Sequence, residues 1–348
     1  MSAMKHGPKG TRRLTRRSPP ARKVVAFGEL LLRLDAKGHE RFVQADGFAA
    51  RYTGGEANAA VSLAQWGVET LAVSKVPDHE IGQACINYLR RYGVNTDRVL
   101  RGGQRLGVIY VETGASQRPG KVIYDRAGSS FSQVHPREFD WDSILAGADW
   151  LHFTGTAPAL GPGALGALKA GLRAARRAGV TVSLDCNYRS TLWSVEQARA
   201  VLPGLMKHVD VFIGTRYDAE LLFGVSGDSA SASAAAMRQQ FGLRAVAYTL
   251  RQGDSASVNR LAGLLCDANG CWTSRQYEMH VVDRIGGGDA FTAGVIYGLL
   301  SGWKGQETVE FAAAAACLKH SVPGDFGLVS LAEVRELTAT GQAGRVRR

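Results

Sequence analysis

The sequence predicts an α/β fold: a three-layer α/β/α core with a mainly parallel sheet, plus a small β-sheet that projects from it as a lid. Three observations carry this. Short apolar runs alternate with segments of helical period along most of the chain. Glycines close several of the helical segments, as C-caps do. Two stretches break the rhythm and alternate polar with apolar residues instead. The chain has 348 residues, 45% hydrophobic and 21% charged, which is globular composition with room for one large α/β domain and an appendage.

Residues 24–27 form an apolar run closed by Gly28, as a buried first strand would be. Residues 57–66 then show helical spacing and 70–76 a strand pattern. Residues 81–92 return to the helical period and end at Gly93. The same order recurs as a strand over 150–153, a helix over 164–178 ending at Gly179, and a strand over 181–184. It continues through 209–213, 230–241, 245–250 and 290–300. Strands and helices that alternate with short turns imply parallel pairing with helices on both faces. Residues 29–53 and 105–131 are the exceptions, and they read as antiparallel hairpins inserted into the parallel domain. A half-exposed sheet of this kind makes a natural lid over a site. The folded domain is expected over 24–337, between a disordered basic tail (1–23) and a short C-terminal tail (338–348).

The net charge of +11 is located in the tails. Lys5, Lys9, Arg12, Arg13, Arg16, Arg17, Arg22 and Lys23 crowd the start, and Arg345, Arg347 and Arg348 the end. Setting these aside brings the 42 basic residues level with the 31 acidic ones, so the body is neutral and no specific nucleic-acid partner is implied. No run approaches the ~20 apolar residues of a membrane span. The tail lacks the apolar stretch of a secretory signal. Five cysteines without a C-x-x-C pair suit reduced thiols, and with them a cytoplasmic protein. The histidines share no metal-binding spacing.

The sharpest chemical segment is Gly-Gly-Gly-Asp at 286–289, which opens a helix of small and apolar residues. Consecutive glycine amides and a helix N-terminus together favour a bound anion. A carboxylate at that point opposes simple anion binding. It fits a base that takes a proton from a hydroxyl attacking a phosphate, which gives Asp289 the catalytic role and Gly286, Gly287 and Gly288 the cradle. An N-capping aspartate is the plainer alternative. An NAD-dependent dehydrogenase is disfavoured, since no G-x-G-x-x-G follows the first strand.

A second segment, Gly-Gly-Glu-Ala-Asn at 54–58, places a glycine pair before a helix whose first turn carries Asn58. With Gly82 and Arg-Tyr-Gly-Val at 91–94, it resembles the first signature of the ribokinase-like (PfkB) carbohydrate kinases. Residues 283–298 resemble the second signature, with Gly287 where alanine is usual. The likeness spans about residues 23–337 and implies a ribokinase-like core, a sugar substrate and ATP with Mg²⁺. Four segments (121–129, 185–193, 249–257 and 318–326) resemble the 2-keto-3-deoxygluconate kinases within that family. The implied reaction is phosphorylation of a primary hydroxyl of 2-keto-3-deoxygluconate. The galactose-configured acid and fructose are the alternatives, and an idle sugar sensor or a regulator is the rival of another class.

An acidic sugar calls for a planar cationic fork, for which Arg126 and Arg189 are the candidates. Tyr110 and Tyr124 offer hydroxyls and ring faces, and Gly54, Gly55 and Asn58 complete the implied substrate site. On the nucleotide side the resemblance implies a turn at Thr249, Arg251 and Gly253, the loop at Pro323 and Gly324, and the turn at Gly286 and Gly288. Thr215 and Asp218 stand where the family often carries Asn-x-x-Glu, which leaves Asp218 to reach Mg²⁺ through water. A monovalent cation such as K⁺ near Asp283 follows from the resemblance alone. Exposed lid strands suit pairing with a second copy, hence a dimer through the lid.

Overall fold

The computed structural model describes residues 22–253 and 255–341, so the expectations for most of the basic tail and for the last seven residues lie outside the described residues. The chain opens with β1 (Lys23–Phe27), a buried strand whose Val25 and Phe27 face one helical layer while Val24 faces the other. The lid begins at once with β2 (Leu31–Ala36) and β3 (Phe48–Thr53). Then come α1 (Gly55–Gln65), β4 (Glu69–Val76), α2 (Glu80–Arg91) and β5 (Asn95–Arg101). The lid resumes with β6 (Gly107–Glu112) and β7 (Lys121–Asp125).

Six elements return the chain to the core: α3 (Trp141–Ile144), β8 (Trp150–Thr154), α4 (Pro162–Ala178), β9 (Thr181–Asp185), α5 (Val195–Leu205) and β10 (Val211–Gly214). Beyond them lie α6 (Arg216–Phe223), α7 (Ala230–Phe241), and the strands β11 (Ala245–Gly253), β12 (Val258–Asp267), β13 (Gly270–Thr273) and β14 (Tyr277–His280). Helices α8 (Gly287–Leu300), α9 (Gly305–Lys319) and α10 (Leu331–Thr340) finish the fold. Helix α10 runs past residue 337, where the sequence pattern ended the domain.

The main sheet has the order β13-β12-β11-β10-β9-β8-β1-β4-β5. Every pair from β5 across to β11 is parallel, and the β12 edge is antiparallel, with β14 also on β12. One face buries the apolar sides of α4, α5, α6 and α7, and the other those of α1, α8, α9 and α10. Helix α9 contributes five consecutive alanines, 312–316, all fully buried, which lets it pack closely on α8. This is the expected ribokinase-like three-layer core.

The lid carries both expected antiparallel hairpins, β2–β3 and β6–β7, joined into a four-stranded sheet, β3-β2-β6-β7, by a parallel central pair, β2 with β6. The parallel pair arises because the two hairpins come from distant stretches that enter the lid in the same direction. Two expectations need correction. The segment 249–253 is no turn, for β11 continues through Gly253 and pairs with β12 as far as Asn259. The thiols are not all reduced: Cys266 and Cys271 stand directly opposite in the β12–β13 ladder and are joined as a disulfide. That pairing depends on hairpin register, which sequence spacing does not reveal. Cys85, Cys186 and Cys317 are free. Among the described residues, no helix is long and apolar enough to cross a membrane.

Candidate active site

Gly286 caps α8 in the left-handed region (φ 85°), and no side chain caps that helix. No side chain therefore satisfies its first-turn amides, of which Gly287 N lies 3.4 Å from Arg284 O. The segment after α9 wraps tightly round this turn. A Cβ at Gly286 would overlap the Asp325 carbonyl, and one at Gly287 would overlap the His320 ring. Position 287, where the resemblance implies alanine, carries glycine, and His320, buried and bonded through Nδ1 to Ala316 O at 2.6 Å, fills the space that a side chain there would need. A Cβ at Gly288 would meet nothing, so that face of the turn is open.

Asp289 occupies the third residue of α8, and its side chain is buried among neutral donors. Asn58 Nδ2 donates to its Oδ2 at 2.7 Å, and Asn187 Nδ2 lies 3.5 Å from Oδ1. No described cation forms an ion pair with it. Asn58 reaches it because α1 packs against α8. Asn187 reaches it from the end of β9, held at φ 38° by donating its N–H to Asp185 Oδ1 at 3.0 Å. Asp185 in turn accepts from Thr292 Oγ1 at 2.8 Å. Gly55 forms the floor, since a Cβ there would stand 3.6 Å from Asp289 Oδ1. Thr154, Asp185 and Thr215 lie at or just past the carboxyl ends of neighbouring strands, where parallel α/β sheets bind their ligands.

Burial, followed by the charge of Asp185, pushes the Asp289 carboxyl up to about 7. Burial likewise raises Asp185 to about 6, with the charge of Asp218 adding to it. Asp218 is raised for the same first reason. The guanidinium of Arg189 opposes all three shifts, so it stands within electrostatic reach of each carboxyl.

The Asp289 carboxyl is therefore ionised mainly above about pH 7. Stability runs the other way. The folded carboxyl binds its proton more tightly than the unfolded one, so its contribution is full below about pH 4 and is lost as pH rises through about 7. Asp289→Asn should therefore melt higher than the parent above pH 7, as calorimetry over a pH series would show.

The other sequence-chosen residues are placed unequally. Arg189 is exposed beyond β9 and forms no ion pair with a described carboxylate; its Nη1 lies only 3.5 Å from its neighbour's carbonyl. Arg126 departs from its expected free fork: it is buried, and its Nε donates to Glu29 Oε2 at 2.5 Å. Glu29 is buried at the end of β1, and a buried carboxylate needs such a partner. Tyr124 packs with Ile109, Val111 and Ile285. Tyr110 lies on the opposite lid face, edge-on to Phe48, because β6 pairs Ile109 with Tyr124 and Tyr110 with Ile123. The two tyrosines therefore do not share a face. Gly54 caps α1 and accepts from Asn58 N at 2.7 Å.

On the nucleotide side, Thr249, Arg251 and Gly253 run along β11. The Arg251 pKa is lowered by desolvation and then by the charges of Arg284 and Arg189, which places these three cations near one another. Pro323 is exposed, whereas the Gly324 N–H is engaged by Asp283 Oδ2 at 2.9 Å rather than free. Thr215 and Asp218 form the capping box of α6, with Asp218 Oδ2 accepting from Thr215 N at 2.9 Å and from its hydroxyl at 2.6 Å.

Sequence reasoning missed a buried network behind the glycine turn. Arg33, from the lid strand β2, pairs with Asp35 and Asp283 at 2.6 Å each and with Asp325. Thr53 Oγ1 then lies between Asp325 and Asn58 Oδ1, which links this network to Asp289. Asn187 was also missed, although its neighbours at 185–189 had drawn notice.

A family model described as pfkB family carbohydrate kinase matches residues 21–327. A 2-dehydro-3-deoxygalactonokinase of Haloferax volcanii is 32% identical over 321 residues, covering 92% of this chain and 98% of the relative. A 5-dehydro-2-deoxygluconokinase of Clostridium perfringens is 28% identical and covers 80% of this chain and 82% of its own. The crystal structure of a 2-dehydro-3-deoxygluconokinase from Thermotoga maritima superposes with a TM-score of 0.89 at 43% identity, covering 91% of this chain and 99% of that one. With its fold, its glycine turn and these relatives, the chain belongs to the pfkB family of carbohydrate kinases.

Proposed function

We propose that this kinase phosphorylates a primary hydroxyl of a 2-keto-3-deoxy sugar acid, with 2-keto-3-deoxygluconate the first choice and Asp289 the base. The observation that carries the acidic substrate is Arg189: a guanidinium with no described carboxylate partner, close to Asp289 and beyond a strand end. A sugar hydroxyl alone has no need of such a fork, whereas a carboxylate takes it bidentately. The relative at 43% identity supports the gluconate-configured acid, and the one at 32% supports the galactonate-configured acid. Arg126, Tyr124 and Asn58 line the remaining substrate side in this reading, with Gly54 and Gly55 bringing backbone close to the sugar; Tyr110 lies on the opposite lid face.

The chemistry follows from the site's charges. ATP with Mg²⁺ supplies an electrophilic phosphoryl group. Asp185, Asp218 and Asp289 are near one another with Arg189 opposing the charge of all three, and this acidic cluster suits a divalent cation held through water by Asp218. Among the described residues no cluster could ligate a metal directly, so phosphate and water oxygens complete the shell. The cations Arg251 and Arg284, with the amides of 286–288, stabilise phosphate charge. Asp289 receives the hydroxyl proton on a carboxylate oxygen while Asn58 and Asn187 hold that carboxylate in place.

A panel of 2-keto-3-deoxygluconate, 2-keto-3-deoxygalactonate, 5-keto-2-deoxygluconate and fructose, read by ADP release, tests the substrate. The highest kcat/KM is expected for 2-keto-3-deoxygluconate, and a preference for fructose overturns the reading. Arg189→Lys should raise KM for the acids about tenfold or more, the cost of about 1.4 kcal/mol from a lost bidentate bond, and leave fructose nearly unchanged. Equal effects on both sugars would remove Arg189 from carboxylate binding.

A further inference from the structure

The family resemblance implies a monovalent cation beside Asp283, under the turn that holds phosphate. The oxygens there are already engaged. Asp283 O accepts from Lys319 Nζ at 3.0 Å. Asp283 Oδ1 accepts from Ile285 N at 3.0 Å. Asp283 Oδ2 accepts from Arg33 Nη2 at 2.6 Å and from Gly324 N at 2.9 Å. The Val322 carbonyl, a further oxygen aimed at the same place, takes a second bond from Lys319 Nζ at 3.3 Å. Each Asp283 oxygen thus already accepts an N–H, two of these bonds coming from the cations Arg33 and Lys319.

The charges close as well. Asp35, Asp283 and Asp325 are three buried or half-buried carboxylates, and Arg33, Arg51 and Lys319 are three cations set against them. Lys319 is fully buried at the last turn of α9, where a cation also favours the helix dipole. A buried ammonium persists only where such partners surround it. An added inorganic cation would sit beside the fixed positive charges of Arg33 and Lys319.

We propose that the Lys319 ammonium, with Arg33 beside it, is the built-in cation under the 286–288 turn, so that this kinase works without K⁺. Lys319 is then a positioning residue: it ties Asp283 to the segment after α9 and so sets the turn whose amides face the phosphate. The inference rests on the reading that this turn holds phosphate.

The test uses the full chain exchanged into tetramethylammonium salts, with ATP–Mg²⁺ binding measured by calorimetry and turnover by ADP release, each with and without KCl at constant ionic strength. The unmodified chain is expected to give the same ATP affinity and kcat in both. Lys319→Ala is expected to lose about tenfold in ATP affinity or kcat and to regain it in KCl but not in tetramethylammonium chloride. A several-fold stimulation of the unmodified chain by KCl overturns the proposal, as does a Lys319→Ala chain that folds and stays indifferent to K⁺. Should that variant fail to fold, the ATP affinity of the unmodified chain decides alone. ATP binding does not depend on which sugar is accepted, so a wrong substrate assignment shows in turnover and leaves this readout intact. A chain that binds no ATP in either salt overturns the phosphate-turn reading and this inference with it.

Discussion

Asp289→Asn is expected to cost about 10²–10⁴-fold in kcat, the range a positioned general base contributes, while ATP affinity changes little. The exchange is nearly isosteric. Asn58 and Asn187 remain in place, since they hang from α1 and the end of β9 rather than from Asp289. What disappears is a carboxylate at the mouth of the turn that can take a proton and is held in no ion pair with a described residue. The contrast with ATP binding is the sharp part. An aspartate that merely capped α8 would leave turnover largely intact when replaced by asparagine, itself a good cap. Retained kcat would therefore remove Asp289 from the chemistry, and an equal loss in ATP affinity would mean that it acts on the nucleotide instead.

The second large effect is expected at Arg33. Arg33→Met keeps side-chain volume but leaves Asp35, Asp283 and Asp325 without their shared partner. Removing one member of a buried ionic network typically costs about 3–5 kcal/mol, because the charges left behind are neither solvated nor paired. Urea unfolding should show the midpoint falling while the slope stays constant. Turnover should fall too, because Asp325 packs its carbonyl on Gly286 and contacts Thr53, which leads on to Asn58 and Asp289. A loss below about 1 kcal/mol, the size of a surface pair, would mean that water reaches the cluster and that the lid is not anchored there.

The core was legible in the sequence because its signals are local. Residues 230–241 read as a helix from spacing alone, and α7 has those bounds. The glycine turn at 286–288 and the carboxylate that follows were readable for the same reason: an uncapped helix start with an acid at its third residue is written in consecutive positions. The lid hairpins were readable as strands, but the parallel join of β2 to β6 was not, because it unites stretches about seventy residues apart in sequence. β5 has a largely polar, half-exposed pattern that no period identifies. The Cys266–Cys271 bond depends on how one hairpin sets its register.

The candidate site divides in the same way. By itself the sequence determined the fold class, and it picked out the turn with its acid and the asparagine of α1, whereas the last helix runs past the end that the pattern set. Each of these follows from residue spacing along one element. Only the tertiary structure decided which charges are free. Arg126 and Arg189 look alike as sequence, yet one is paired with Glu29 and the other with no described carboxylate. Arg33 and Asp325 meet across 292 positions, and Lys319 finds the carbonyl of Asp283 from another helix. An ion pair is a property of two side chains brought together and stripped of water, and chain spacing does not encode that meeting.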